Sequence, residues 1–219
     1  MDRPAARRAH HHADRRARPV TMQGNISSAV RQQRHEPHKS LDDFPTPPWA
    51  TRALCEFLKA RGLIGPLDSV REPAPNRGHM AKVLAEYFDQ VIASDVHDYG
   101  AGYPIEDYLF GPPPPRTSWT VTVWPECRGE AVVRRARSCS GSLAVLVENT
   151  CLADPAAWHD VFNTDQPAYV VQLCDELTAG GEKVAFCWLV WTRRPVDGAA
   201  LHWVPPGTRR ALERPGVYD

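Results

Sequence analysis

Residues 69 to 95 read SVREPAPNRGHMAKVLAEYFDQVIASD, and this stretch decides how the rest of the chain is interpreted. The pattern predicts a strand over 67–72, a helix over 77–88 and a second strand over 91–95. The second strand ends on a carboxylate, Asp95. A strand, a tight turn, a helix and a strand that ends on an acid form the first half of a nucleotide-binding α/β unit.

The turn after the first strand is unsuited to a dinucleotide. A pyrophosphate needs closely spaced glycines whose backbone amides reach the phosphates, but this turn has only Gly78 and contains Pro73 and Pro75, which have no N–H. Glu72 at the end of the strand repels phosphate and favours a cation. S-adenosylmethionine carries an ammonium, a sulfonium and no phosphate, and Asp95 stands where an acceptor for ribose hydroxyls is expected. An ordinary turn without a ligand remains the alternative.

Composition places the chain among ordinary globular proteins. Its 219 residues can form one domain with a sizeable core, and its formal net charge is zero, so no global field indicates a nucleic-acid partner. Residues 1–40 are rich in arginine and histidine and lack apolar periodicity, which predicts a disordered basic arm. The folded domain is predicted over 41–219. The arm is either a solvated tail or a segment that contacts nucleic acid.

The sequence also predicts a compartment. It has no apolar run long enough to span a membrane and no apolar core behind its N-terminal charges, so neither a membrane partner nor a secretory signal is expected. The six cysteines are scattered without a C-x-x-C pair, which favours free thiols in a reducing cytoplasm. No ligand spacing supports a metal site. The sequence does not indicate an oligomeric state.

Further helices and strands are predicted along the rest of the domain. Helices are expected over 49–61 and 155–162, and strands over 119–123, 142–147, 168–174, 184–191 and 201–204. The runs 168–174 and 184–191, separated by a Gly-Gly turn, predict an antiparallel pair. The fold class is therefore α/β: a Rossmann-like, doubly wound, mostly parallel sheet with a C-terminal antiparallel strand pair.

Several segments resemble adenine-specific DNA methyltransferases of the phage and bacterial type. They read DDFPTPPWAT at 42–51, EPA at 72–74, GHMA at 78–81 and ASDVHDYG at 93–100. The resemblance covers about 42–110 and returns from Leu143 to the C-terminus, through CWLVW and WVPP. It implies a class I methyltransferase that uses S-adenosylmethionine and has DNA as its partner.

The resemblance also implies roles for individual residues. Phe44, Thr46 and Pro47 would line the methionine end of the cofactor. The turn would be formed by Glu72, Pro73, Ala74 and Gly78. Asp95 would accept the ribose hydroxyls and Asp107 the adenine amine, since ionised carboxylates only accept hydrogen bonds and these ligand groups donate them. The family turn reads Glu-Pro-Ala-Cys-Gly-x-Gly, whereas this chain has Pro75-Asn76 in place of Cys-Gly. Asn tolerates a left-handed conformation, so the turn is expected to persist with weakened cofactor binding.

The catalytic motif departs further from the family. Members have Asn or Asp, then Pro-Pro and an aromatic residue after the fourth strand, whereas this chain has Val123, Trp124, Pro125 and Glu126. The family side chain accepts a hydrogen bond from the target amine while the ring stacks on the flipped base. Valine cannot accept one, and Glu126 replaces the ring.

The segment after this motif is also unusual. Residues 128–137 are basic and weakly helical in pattern, but the stretch 128–140 is interpreted as lacking the apolar stripe expected of the next helix, so a partly ordered region is expected around 111–141. One explanation is a local shift of reading frame in the gene, with the frame restored near Ser142. A genuinely divergent segment is the alternative.

Three functional hypotheses follow. The chain is a DNA adenine methyltransferase, a non-catalytic relative that binds cofactor or nucleic acid, or a nicotinamide oxidoreductase, which the missing glycines disfavour. Trp188, Trp191 and Trp203 are interpreted as packing residues of the sheet. Five arginines in the C-terminal part of the chain are interpreted as phosphate contacts or as plain solvated surface: Arg193, Arg194, Arg209, Arg210 and Arg214.

Overall fold

A seven-stranded sheet is the centre of the protein. The computed structural model describes residues 45–125, 129–179, 182–193 and 198–214. In chain order the strands of the sheet are β1 (Ser69–Glu72), β2 (Gln90–Ala93), β3 (Thr117–Val123), β4 (Ser140–Glu148), β5 (Tyr169–Leu173), β8 (Phe186–Trp191) and β9 (Ala200–Val204). Two short strands, β6 (Leu177–Ala179) and β7 (Glu182–Val184), form a separate antiparallel pair.

The helices are α1 (Pro48–Ala60), α2 (His79–Leu84), α3 (Gly129–Cys139), α4 (Pro155–Ala157) and α5 (Thr208–Leu212). A 3₁₀ turn at Asn149–Ala153 precedes α4, and a π turn at Trp158–Phe162 continues it. Among the described residues, no helix combines the length and apolarity that a membrane crossing requires.

The sheet has the predicted topology. Its strand order is β2-β1-β3-β4-β8-β5-β9. Strands β1 to β4 pair in parallel, β8 is antiparallel to both β4 and β5, and β9 lies parallel to β5 at the edge. The predicted antiparallel C-terminal pair is thus β5 and β8. Because β1 to β4 run in one direction, their last residues share one edge of the sheet, here called the carboxyl edge, and their first residues share the amino edge.

Apolar side chains cover both faces of the sheet. On one face α1 and α2 contribute Trp49, Leu54, Leu58 and Leu84. On the other face α3 and the π turn contribute Val133, Ala136 and Phe162. The central strands read as continuous apolar runs because both of their faces are buried, as in other sheets that are covered on two sides.

Two predicted boundaries differ from the structure at the turn. The helix predicted over 77–88 starts only at His79, because Gly78 before it has a left-handed φ of 82°. It ends at Leu84 and continues as turns. The strand predicted over 91–95 ends at Ala93, because Asp95 leaves β2 and forms an isolated bridge with Ile105.

The prediction that residues 128–140 lack an apolar stripe was wrong, whereas the weakly helical pattern over 128–137 corresponds to a helix. Residues 129–139 form α3, whose buried positions are spaced as on one helical face: Gly129, Val132, Val133, Ala136 and Cys139. The stripe is inconspicuous in the sequence because its residues are small and lie between arginines. Trp119 and Val121 in β3 are also fully packed, at 2% and 0% exposure. The frame-shift hypothesis was based on the absence of an apolar stripe, and this support is removed because α3 has one.

Candidate active site at the carboxyl edge

Two acidic residues meet at the carboxyl edge. Glu72 is the last residue of β1, and Asp95 follows the neighbouring strand β2. The amide of Ser94 donates to the Glu72 carbonyl at 3.3 Å, which holds the two strand ends together. Both carboxyl groups are buried, with 1% exposure at Glu72 and 6% at Asp95. The negative charge of Asp95 therefore acts on Glu72 in a medium of low dielectric constant.

The altered turn is intact. Asn76 adopts the left-handed conformation, with a φ of 52°, and its amide donates to Oδ2 of Asp95 at 2.9 Å. The Gly78 amide closes the turn on the Pro75 carbonyl at 2.6 Å. The other oxygen of Asp95, Oδ1, accepts from the amide of His97 at 3.1 Å. The Pro75-Asn76 replacement thus keeps the turn, because Asn tolerates positive φ and binds the acid across it.

Glu72 carries an unsatisfied acceptor. Its Oε2 is buried and has no hydrogen-bond partner within the described part of the chain. Burial raises the pKa of Glu72 well above its ordinary value, and the nearby Asp95 charge raises it further. A buried acceptor without a partner is costly, and a ligand that brings a positively charged donor would remove that cost. The carboxyl oxygens of Glu72 and Asp95 are therefore suited to a cationic ligand that donates hydrogen bonds.

Tyr103 is a site residue that the sequence pattern did not reveal. Its ring lies over Gly78, where an added Cβ would overlap the phenol oxygen. Burial raises the pKa of Tyr103, and the charge of Glu72 contributes to the same shift. The phenol therefore lies near both the turn and the acid. A single tyrosine within an irregular loop produces no periodic signal, so only the folded chain reveals this position.

The loop after β2 runs alongside Asp95. The Asp95 amide donates to the Pro104 carbonyl at 3.0 Å, and the Glu106 amide donates to the Asp95 carbonyl at 2.8 Å. Asp107 follows directly and is exposed. Its Oδ1 accepts from the Leu109 amide at 2.9 Å, so one oxygen caps a turn and the other is available.

Large apolar side chains near Asp95 are exposed to solvent. Val96 is 62% exposed, Ile105 65% and Phe110 63%. Val96 follows Asp95 in the chain, and Ile105 forms the isolated β-bridge with Asp95. Such an apolar surface beside an acidic pair is suited to a flat heterocycle.

The remaining predicted cofactor residues lie in the turn itself and before α1. Pro73 is buried and Ala74 is exposed. Thr46 is buried, and Pro47 precedes α1, accepting the Ala50 amide at 3.0 Å. Because α1 packs against α2, these residues lie on the face of the sheet that carries the turn's helix. Phe44 lies outside the described residues.

The position of the catalytic motif is apolar and packed. Val123 ends β3 opposite Leu146 and packs against the core. The Trp124 amide donates to the Leu146 carbonyl at 2.9 Å, and its indole lies against Gly129 and near the Phe162 ring. Neither side chain offers a hydrogen-bond acceptor. Pro125 follows at intermediate exposure, and Glu126 lies outside the described residues.

Other reactive groups in the described chain lack the features of a catalytic centre. Burial raises the pKa of Cys151 to about 11 and of Cys187 to about 12, so neither thiol is activated as a nucleophile. Within the described ranges, no group of three His, Cys, Asp or Glu side chains is arranged to hold a metal ion.

The fold resembles solved methyltransferases. A protein from Listeria monocytogenes assigned as a class I S-adenosylmethionine-dependent methyltransferase matches with a TM-score of 0.62 and 12% identity, over 84% of this chain and 74% of that one. A modification subunit assigned to a type I restriction enzyme from Vibrio vulnificus gives a TM-score of 0.56 and 16% identity, over 82% of this chain and 51% of that subunit.

A third similar structure belongs to a protein that is assigned to a different type of substrate. A protein from Pyrococcus horikoshii assigned as an RNA methyltransferase gives a TM-score of 0.51 and 14% identity, over 75% of this chain and 93% of that one. No protein-family model and no curated protein sequence matches the chain. At these identities the likeness concerns the fold: the chain has a Rossmann-like class I methyltransferase fold.

Proposed function

We propose that the carboxyl edge binds S-adenosylmethionine. The observation that carries this proposal is the buried, unpartnered Oε2 of Glu72 beside the Asp95 carboxyl. Two neighbouring buried acids favour a ligand that brings positive charge and hydrogen-bond donors. S-adenosylmethionine has both, and it would supply an electrophilic methyl group.

The other residues of the edge fit the remaining parts of this cofactor. Asp95 retains acceptor capacity after binding the amides of Asn76 and His97, and we assign it to the ribose hydroxyls. Val96 and Ile105 offer an apolar surface for the adenine ring. Asp107 is assigned to the adenine amine, and Thr46 and Pro47, with Phe44, to the methionine end.

A dinucleotide fits the same edge less well. Pro73 and Pro75 offer no amide to a phosphate, and the Asn76 amide already binds Asp95. A pyrophosphate would bring further negative charge beside Asp95 and Glu72, the reverse of what the two buried acids favour. We therefore expect isothermal titration to detect S-adenosylmethionine and no binding of nicotinamide dinucleotide at equal concentrations.

Replacing Asp95 by asparagine tests the ribose assignment. Asp95→Asn retains the shape of the side chain but lowers the strength of its hydrogen bonds to the diol, so affinity should fall about tenfold. Asp98→Asn is the matched control, because Asp98 is an exposed loop acid that binds only the Gly100 amide within the described chain. Equal affinities of wild type and Asp95→Asn would contradict the assignment.

For the methyl acceptor we propose an exocyclic amine of adenine in DNA. The segments at 42–51, 72–74, 78–81 and 93–100 support this acceptor through their resemblance to adenine-specific enzymes. The likeness to a restriction-enzyme modification subunit is consistent with it, although the chain spans only about half of that subunit.

The second candidate is a non-catalytic protein that binds cofactor or nucleic acid. It is favoured by the end of β3, where Val123 packs against the core and Trp124 packs over Gly129. Neither residue can accept a hydrogen bond from a target amine through its side chain.

A methyl-transfer assay separates the two candidates. Labelled S-adenosylmethionine is incubated with duplexes that contain adenine and with duplexes that lack it. Transfer only to the adenine-containing duplex supports the enzyme. Cofactor binding without transfer supports the second candidate, and Val123→Asn should then raise transfer while Val123→Ala, which introduces no acceptor, should not.

A further inference from the structure

A polar cleft of about 790 Å³ lies at the amino edge of the sheet, opposite the proposed cofactor site. It is lined by the first residues of three parallel strands: Ser69 of β1, Thr117 of β3 and Ser140 of β4. Ser69 and Glu72 are at opposite ends of β1, roughly 10 Å apart at the usual rise of a strand. A cleft of this size is in the range of small-ligand sites and exceeds the needs of a single ion.

Three arginines from distant parts of the chain meet in this cleft. Arg116 precedes β3, Arg137 lies on α3 and Arg193 follows β8. Arg137 is neutralised by Asp165, whose Oδ2 lies 2.8 Å from its Nε. Asp165 is the only acid in the lining of the cleft that the structure describes. The lining is therefore strongly positive.

The other two arginines have no acidic partner among the residues that the structure describes. Arg116 donates from Nη1 to the carbonyl of Ser138 at 2.9 Å, which orients its guanidinium and leaves other donors open. Arg193 makes no hydrogen bond or ion pair to a described residue. With Arg137 paired to Asp165, the lining residues that the structure describes carry two more positive charges than negative ones.

The guanidinium of Arg193 lies close to Gly141 in the cleft. A Cβ added to Gly141 would lie 3.1 Å from its Nη2 and 3.2 Å from its Nε. Glycine at position 141 thus allows this close approach. An arginine at this position presents a planar fork of N–H donors to a ligand in the cleft.

Two hydroxyls add neutral donors beside the arginines. The Ser118 amide donates to Oγ of Ser69 at 3.1 Å, and the Ser69 amide donates to Oγ of Ser118 at 3.3 Å. Because each oxygen already accepts an amide, its own hydrogen can point to a ligand. Guanidinium groups and hydroxyls together are the donors that phosphate oxygens prefer.

We propose that the amino-edge cleft, formed around Arg116, Arg193, Ser69 and Ser118, binds phosphate groups of a ligand larger than a single phosphate ion. The site is separate from the carboxyl edge and does not depend on the cofactor assignment. The same chemistry is offered by the backbone of a nucleic-acid strand and by a free polyphosphate, and the two sources can be distinguished by experiment.

The test uses the full chain and two probes. Binding of a fluorescein-labelled 12-nucleotide single strand is followed by anisotropy at several salt concentrations, and binding of inorganic pyrophosphate by isothermal titration. The double variant Arg116→Ala/Arg193→Ala should bind at least one of the two probes at least tenfold more weakly than wild type does. If the strand is the ligand, the slope of log K against log salt should also decrease, by about 0.7 for each phosphate that the variant no longer neutralises.

Controls make the outcome decisive. Arg210→Ala removes one positive charge from an exposed position on α5, against two in the double variant, and should leave the binding of both probes within twofold of wild type. Arg193→Lys keeps the charge without the planar fork and should give an intermediate loss. If the double variant loses binding of the oligonucleotide alone, the site is assigned to nucleic acid. If it loses binding of pyrophosphate, the site is assigned to a free polyphosphate.

Three results would overturn the proposal. Wild type binds neither probe, the double variant binds both probes with the affinity of wild type, or Arg210→Ala lowers the affinity for the probes as much as the double variant does. Binding of S-adenosylmethionine by the double variant is measured in parallel and should be unchanged. Failure of the cofactor proposal would therefore be visible separately from failure of this one.

Discussion

At the scale of single residues, Glu72 links the stability of the folded chain to the proposed ligand site. A carboxyl group that is 1% exposed, lacks a described partner for Oε2 and lies beside a second acid lowers the stability of the folded chain. Such costs are retained at functional sites, where a ligand relieves them. The same reasoning explains why Asn76 is held at positive φ: its amide is needed by Asp95.

Glu72 therefore makes stability depend on pH in a definite direction. Its pKa is raised in the folded state, so between about pH 4.3 and that raised value the folded chain binds more protons than the unfolded chain. The free energy of unfolding of wild type should fall as pH rises through this window. Glu72→Gln cannot ionise, so its stability relative to wild type should increase with pH in thermal unfolding experiments.

The matched control is Glu106→Gln, which changes an exposed acid in the adjoining loop. It should follow the wild-type pH profile closely. A constant difference between Glu72→Gln and wild type across the pH range would contradict the interpretation of Glu72 as a buried, strained acid.

At the scale of elements, the long apolar runs were predictable and the loops were not. Strands β4 and β8 were recognised because burial on both faces requires continuous apolar residues. Helix α3 was recognised only as a weakly helical pattern, because its inward residues are valine, alanine and cysteine rather than leucine. Of the three tryptophans interpreted as sheet packing, Trp188 and Trp191 are buried, whereas Trp203 on the edge strand β9 is 60% exposed.

The packing between Trp124 and α3 gives a prediction at this scale. Gly129→Ala would place a methyl group within the Trp124 indole, so overpacking should cost about 1–3 kcal/mol in chemical denaturation. In a Trp124→Ala background the clash is absent, and the same change should be neutral or stabilising because alanine favours helix. Additive effects of the two substitutions would show that the indole does not pack there.

At the scale of the whole molecule, residues far apart in sequence join the helices of one face. Arg52 on α1 is 1% exposed and binds Glu86 after α2 through two bonds, at 2.6 and 3.0 Å, and the Leu212 carbonyl of α5 at 3.0 Å. Arg214 also binds Glu86, at 3.0 Å. Local patterns cannot predict such contacts, because the partners are separated by up to 160 residues. The arginines of the amino-edge cleft were not grouped by sequence for the same reason.

Removing the acid of this network should be costly. Glu86→Gln leaves the buried Arg52 charge without its carboxylate, and the free energy of unfolding should fall by about 3 kcal/mol. Glu213→Gln breaks an exposed pair with Arg209, half exposed on both sides, and should cost less than about 1 kcal/mol. Equal losses in urea denaturation would indicate that burial of Arg52 does not strengthen its pairing.

The most direct test of the account is isothermal titration of wild type and Glu72→Gln with S-adenosylmethionine, at pH 7 in two buffers of different ionisation enthalpy. Because a cation favours the ionised form of Glu72, binding should lower the pKa of this carboxyl group, so wild type should release any proton that Glu72 holds in the free protein. The variant should bind roughly 10 to 100 times more weakly, as expected for loss of a charged hydrogen bond, without that release. Equal affinities with equal proton exchange would contradict a cation-binding role for Glu72 and, with it, the proposed cofactor site.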